Sequence, residues 1–287
     1  MWLGFPILLG MLANIASPVF AQTLDELAES FGMELRNKVT AEALVSVQTL
    51  SNSNLEYQYT LINSTISRQD ISGFALQVDT QIATSNMSPA PGWEADRCCM
   101  PIDGKLFATW SPGSGDPFVK RGAKLTGFKI VSKNLPGMKE FRAEGFTAKF
   151  LPSADKFQGE PTVEEGEIIG TIQSWDSGTA AGATIGPDPI SSDATPASLL
   201  ERLIAAKHQS VSFGWISGPG VDGVVQGLDA KLNAAKDSVA RDQNKTAANQ
   251  LKAFVSEIEA QRGKHLNDNA YFLLKVNAEF IISRLGP

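Results

Sequence analysis

The chain reads as two folds in series. An antiparallel β-sandwich, immunoglobulin-like or fibronectin-like, comes first, and a small antiparallel helical bundle follows. Three observations predict this. From about residue 42 to 150, apolar residues recur at alternate positions, the period of a strand with one packed face. These segments, about six or seven of them, are separated by Gly/Pro-rich turns, as in a sandwich. After Thr195 the apolar spacing changes to three and four, the period of amphipathic helices.

The first element is a secretory signal over 1–21. It has no charged side chain, an apolar run from Trp2 to Leu12, and small residues at both positions that a signal peptidase reads in Val19-Phe20-Ala21. Cleavage is expected between Ala21 and Gln22. An uncleaved anchor is the rival, since ~20 apolar residues span a bilayer, but Pro6 and Pro18 oppose it. No later stretch is apolar enough to cross a membrane, so the mature protein is expected to be soluble, secreted or periplasmic.

Residues 22–40 are expected to hold an N-terminal helix, opened by the capping pair Thr23 and Glu26. The sandwich is placed at 41–175. L-E-Y-Q-Y-T-L-I-N puts Leu55, Tyr57, Tyr59 and Leu61 on one face. A-L-V-S-V-Q-T-L, I-S-G-F-A-L-Q-V, K-L-F-A-T-W, K-L-T-G-F-K-I-V and K-E-F-R-A-E-G-F-T-A-K-F supply further strands. S-P-A-P-G-W, S-P-G-S-G-D-P and N-L-P-G read as turns. I-I-G-T-I-Q-S-W is a candidate last strand. Glu160, Glu164, Glu165 and Glu167 read as a solvated acidic loop without calcium-loop spacing.

Residues 176–195 are small, polar and rich in Gly and Pro, and read as a linker. The bundle is placed at 196–287. Thr195 suits an N-cap and Pro196 the first helical position. Asp222 is the expected next cap. Leu228, Leu232, Ala235 and Val239 form one stripe, and Leu274, Ala278, Ile281 and Leu285 another. Between them Leu251, Phe254 or Val255, and Ile258 lead to Gly263, a C-terminal cap.

The bundle residues resemble the FIMAH domain. The matching pieces are L-D-A-K-L-N-A-A-K-D-S-V (228–239), A-N-Q-L-K-A-F-V-S-E-I-E-A-Q-R-G-K-H-L (248–266) and A-Y-F-L-L-K-V-N-A-E-F-I-I (270–282). The resemblance implies an accessory module on an exported bacterial protein, for binding or attachment, with no chemistry of its own. P-G-W (91–93), L-x-G-F (125–128) and L-P-G (135–137) are similar to uncharacterised β-sandwich regions paired with such modules. That likeness assigns no activity.

The search for chemistry returns little. Net charge is -6, which disfavours nucleic acid as a partner. His208 and His265 are the only histidines, so a His-based metal site or catalytic triad is not expected. There is no G-x-S-x-G elbow and no phosphate-binding Gly motif. No cofactor is expected. Cys98 and Cys99 are neighbours and cannot staple distant segments to each other; free thiols, a vicinal bridge or a bridge to another chain all remain open. Asn63, Asn86 and Asn244 head glycosylation triplets that mean little in a bacterium.

Exposed aromatics stack on sugar rings or anchor interfaces. Trp110 and Trp215 read as packing residues, and Trp93 and Trp175 as the candidate ligand-binding pair. The leading expectation is a non-catalytic binding or adaptor protein acting on a polysaccharide or an extracellular or envelope protein. A hydrolase with paired carboxylates and a structural envelope or matrix component are the alternatives.

Overall fold

In the computed structural model, residues 23–156 and 160–286 are described. The secretory signal and its cleavage point after Ala21 lie outside them. Helix α1 (Leu24–Ser30) opens on the expected capping box, Thr23 to Glu26 and back. It spans only these residues of the 22–40 helix, because Gly32 turns the chain with φ +68° and residues beyond it run extended.

Among the described residues nine strands follow: β1 (Ala41–Thr49), β2 (Leu55–Asn63), β3 (Ile71–Val78), β4 (Met87–Ser88), β5 (Trp93–Ile102), β6 (Lys105–Pro112), β7 (Lys124–Ser132), β8 (Leu135–Gly145) and β9 (Ala180–Asp188). They form two antiparallel sheets, in the orders β1-β2-β7-β4 and β5-β6-β3-β8-β9. The inner faces meet around Phe74. Its ring lies 5.2 Å from Phe128, 5.3 Å from Trp110, 6.1 Å from Tyr59 and 6.2 Å from Phe141. All five rings are buried. Each buried side chain of this size contributes roughly 1.5–3 kcal/mol.

Four sequence expectations are corrected here. L-P-G at 135–137 begins β8 instead of making a turn. I-I-G-T-I-Q-S-W is not a strand: its first six residues lie in helix α2 (Val163–Gln173), and Trp175 starts the short helix α3 (Trp175–Gly178). A second capping box, Thr162 with Glu165, starts α2, so most of the acidic group is its first turns and not a loop. The linker at 176–195 is largely β9, the edge strand beside β8, so the sandwich runs to Asp188. Two of the glycines that suggested a linker, Gly182 and Gly186, sit in crowded positions. A β-carbon on Gly182 would fall on the Phe141 ring, and one on Gly186 would press on Lys139 and Tyr59.

Helices α4 (Pro196–Ser212), α5 (Val221–Ala240), α6 (Asn244–Gln261) and α7 (Asp268–Leu285) make the bundle. Thr195 caps α4 with Pro196 first, and Gly263 at φ +71° follows the end of α6. Asp222 falls inside the first turn of α5, whose N-cap is Gly220. The buried residues Leu228, Leu232, Leu251, Phe254, Ile258, Leu274 and Ile281 are those the stripes marked.

The bundle packs directly on the sandwich, where edge strands β1 and β9 come together. Buried Asn269 of α7 accepts from the Val45 N–H and donates to the Ala43 carbonyl, both at 3.0 Å. Thr184 of β9 donates to the same carbonyl at 2.7 Å. Asn277 donates to the Pro136 carbonyl at 2.9 Å. Lys139, buried, sits 2.5 Å from Asp79 and 2.6 Å from Asp188, and Asp188 also meets Arg202 of α4 at 2.5 Å. Among the described residues, no helix is long and apolar enough to cross a membrane.

Candidate functional site

Alternation along β8 sends Lys139, Phe141 and Ala143 into the interior and leaves Met138, Glu140, Arg142 and Glu144 on the outer face of the five-stranded sheet. Two concavities open along that outer face. One lies at the end of β8 and the other near its start.

The first is a slot of about 200 Å³ lined by Arg36, Ser72, Glu144, Gly145, Phe146, Thr147 and Phe150. Its walls are Phe146 and Phe150, 47% and 38% exposed. Its floor is the ion pair between Arg36 and Glu144. Gly145 sets the geometry. Its N–H donates to the Arg36 carbonyl at 2.6 Å, and a β-carbon there would fall on Gln69 Oε1 and 2.9 Å from that carbonyl. Gln69 in turn donates to the Leu35 carbonyl and accepts from the Lys38 N–H, so the segment carrying Arg36 is strapped on both sides.

The Arg36 guanidinium also donates to the Gln173 carbonyl, while its Nε is buried without a partner. Phe150 lies over it, 4.7 Å from ring centre to Cζ. Phe146 stacks on Phe118 at 4.6 Å and 28°, and the Lys120 ammonium stands 5.4 Å from the Phe118 ring. Thr147 donates to Glu34 at 2.8 Å. Burial pushes the Glu144 carboxyl up; Arg36 pulls it back in part and Asp96 adds to the rise, leaving it above the ordinary carboxylate value.

The second concavity, about 480 Å³, lies between the sheet and the end of α4. Gln77, Lys105, Met138 and Glu140 form its sheet side, and Gln209 and Phe213 its helix side. Phe213 is 55% exposed and stacks on buried Trp215 at 5.5 Å and 28°. Lys105 meets Glu140 at 2.7 Å. Burial works against the Glu140 charge, but Lys105 and Arg142 together outweigh it and hold the carboxyl below its usual value.

The two tryptophans named from sequence part company. Trp93 is only 4% exposed, packs edge-on against Phe128 at 5.1 Å, and donates to the Pro117 carbonyl at 2.8 Å. Its face is spent on the core, which corrects its placement as a ligand-binding residue. Trp175 is half-buried on the sheet's outer face against Ala75, Ile102 and Phe107. A β-carbon on Gly73 would lie 3.0 Å from its ring and close to Glu144, so Trp175 stands beside the slot. Sequence reasoning missed Arg36, Phe146, Phe150 and Phe213. The sequence reading had put Phe146 and Phe150 inside the strand K-E-F-R-A-E-G-F-T-A-K-F, but β8 ends at Gly145 and both lie exposed beyond it.

The remaining candidates are structural. His208 Nδ1 lies 3.2 Å from the buried Lys207 ammonium, and His265 Nδ1 3.2 Å from the Ser217 carbonyl. Cys98 and Cys99 are joined to each other, within a stretch where β5 slips register against β6. Among the described residues, no cluster of His, Cys, Asp or Glu is arranged to hold a metal.

Residues 214–283 match the FIMAH domain family, covering most of the bundle. Among solved structures, the chain is similar to an uncharacterised protein from Nocardia farcinica with an immunoglobulin-like fold. Identity is 16%, coverage is 43% of this chain and 90% of that one, and the TM-score is 0.25. No curated protein matches the chain.

Proposed function

We propose that the protein is an exported, non-catalytic glycan-binding protein, with the slot between Phe146 and Phe150 as its recognition site. The single observation behind this reading is the pairing of two exposed aromatic walls with a charged, hydrogen-bonding floor. Sugar rings have apolar C–H faces and polar edges. Aromatic side chains take the faces, and a few placed polar groups take the edges.

Glu144 favours binding over hydrolysis. Glycoside hydrolysis uses two carboxyl groups flanking the bond. Glu144 is tied to Arg36, and Asp96, the other carboxylate that influences it, is outside the slot lining and accepts from Ser111 at 2.7 Å. The FIMAH match supports an accessory role. The Cys98–Cys99 bridge suits an oxidising compartment outside the cytoplasm.

The test is retention of residues 22–287 on a panel of insoluble polysaccharides, with released sugar assayed in the same tubes. Phe146→Ala removes a stacking wall worth roughly 0.5–1.5 kcal/mol, so retention should weaken by up to about tenfold. Absence of retention on every polysaccharide would overturn the reading. Sugar release abolished by Glu144→Gln would replace it with a hydrolase.

A further inference from the structure

We infer that the ligand is a linear, uncharged polysaccharide lying along the outer face of β8, and that the slot and the Phe213 groove are two subsites for one chain. This rests on the glycan-binding reading and adds its polymer class. The slot is reached through Glu144 and the groove through Glu140, on the same face of the same strand. Four residues of strand separate them, about 13 Å at ~3.3 Å per residue. That is several sugar units, too far for a single ring to touch both.

The surface between the subsites suits a chain. Trp175 stands on it, half-buried against Ala75 and Phe107, next to Glu144. Aromatic residues are therefore spaced along the track: Phe146 and Phe150 at one end, Trp175 within it, Phe213 at the other. The hydrogen-bonding groups at the groove end include two uncharged amides, Gln209 and Gln77, the latter with its Oε1 accepting from the Glu140 N–H at 3.2 Å.

Electrostatics favour a neutral chain over a polyanion. Each cation on the track already has a carboxylate: Arg36 has Glu144, Lys105 has Glu140, and Arg142 has Glu140. The chain as a whole carries a net charge of -6. A uronate or sulfated polymer would have to displace these pairs and approach a negatively charged protein. A neutral chain keeps them. Two linked subsites make the second contact intramolecular, so affinity must grow with ligand length.

The experiment is isothermal titration of the full mature chain. The probes are gluco-, manno- and xylo-oligosaccharides from disaccharide to hexasaccharide, with oligogalacturonates of equal length as the charged series. In at least one neutral series, affinity should rise tenfold or more from the short to the long members. Phe213→Ala, and separately Gln77→Ala, should erase most of that rise and leave the shortest ligands unaffected. Phe146→Ala should weaken short and long ligands alike. Equal affinity for short and long ligands, with no effect of Phe213→Ala, would overturn the two-subsite track while leaving the slot reading intact. Tighter binding of oligogalacturonate would overturn the assignment of a neutral polymer. Failure of every sugar to bind would overturn both readings.

Discussion

Replacing Asn269 with alanine removes two buried hydrogen bonds between the bundle and the sandwich. The Val45 N–H, on a residue only 2% exposed, has Asn269 Oδ1 as its acceptor at 3.0 Å. The Ala43 carbonyl is better placed, because Thr184 still donates to it after Asn269 Nδ2 has gone. Orphaning the buried N–H costs about 1–3 kcal/mol, and losing the second bond about 0.5–1.5 kcal/mol. Alanine's better helix propensity returns a few tenths of a kcal/mol. The expected loss is about 1–4 kcal/mol. Equilibrium urea unfolding, followed by circular dichroism, would read it as a lower midpoint at an unchanged slope. Thr184→Val combined with Asn269→Ala should exceed the sum of the single losses, because the Ala43 carbonyl then loses both side-chain donors. A single-mutant loss under about 0.5 kcal/mol, or strict additivity in the double mutant, would refute the account of this contact.

Other outcomes follow from the same structure. Burial opposes the Asp188 charge, but Asp79, Lys139 and Arg202 together hold its carboxyl below the ordinary value. Its stabilising contribution is therefore complete above the unfolded value of about 3.9 and is lost as pH falls through the lower folded value. Asp188→Asn should cost about 1–3 kcal/mol near neutral pH, with the gap to wild type narrowing in strong acid; a pH-independent gap would contradict this. Gly145→Ala should cost about 1–3 kcal/mol and abolish glycan retention, since its β-carbon meets Gln69 and the Arg36 carbonyl. Gly170→Ala, inside α2 with open space at the β-carbon, should instead stabilise by up to about 1 kcal/mol, measured by thermal melting. Cys98 and Cys99 should take up a thiol-alkylating reagent only after reduction, which intact mass will show.

The parts of the fold that could be read from sequence are those where packing writes a clean period. In β2 every second residue from Leu55 to Leu61 is buried, so alternation was visible. The four bundle helices carry stripes because each buries one face. Strand β5 was missed because it slips register twice against β6, which breaks the period of two. Strand β9 was missed because Gly182 and Gly186, where a β-carbon would crowd Phe141 or Lys139 and Tyr59, sit among alanines and Pro187 and leave only Thr184 and Ile185 to mark a strand. Helix α2 was mistaken for a strand because only Ile172 is fully buried, so its isoleucines signal β-branching more strongly than helical spacing.

The candidate site was even less legible. Arg36 and Ser72 come from parts of the chain far from the 144–150 stretch that supplies the rest of the slot, and the three share no motif. Trp175 was noticed only because a tryptophan in a poorly patterned stretch invites the question. Trp93 invited the same question and is a core residue. A single sequence does not distinguish a tryptophan whose face is packed from one whose face is open.

The contact at Asn269 also decides what can be separated. A strand edge with free N–H and C=O groups is a template on which another chain can add. In β1 the Ala43–Val45 edge is occupied by an asparagine and a threonine instead of a neighbouring strand. Asn269 therefore acts as a stopper against strand addition at this edge. A sandwich produced without α7 would present that edge to its own copies and assemble through it. A FIMAH-type bundle grafted onto this sandwich from another protein would need an amide at the position of Asn269 to avoid the same fate.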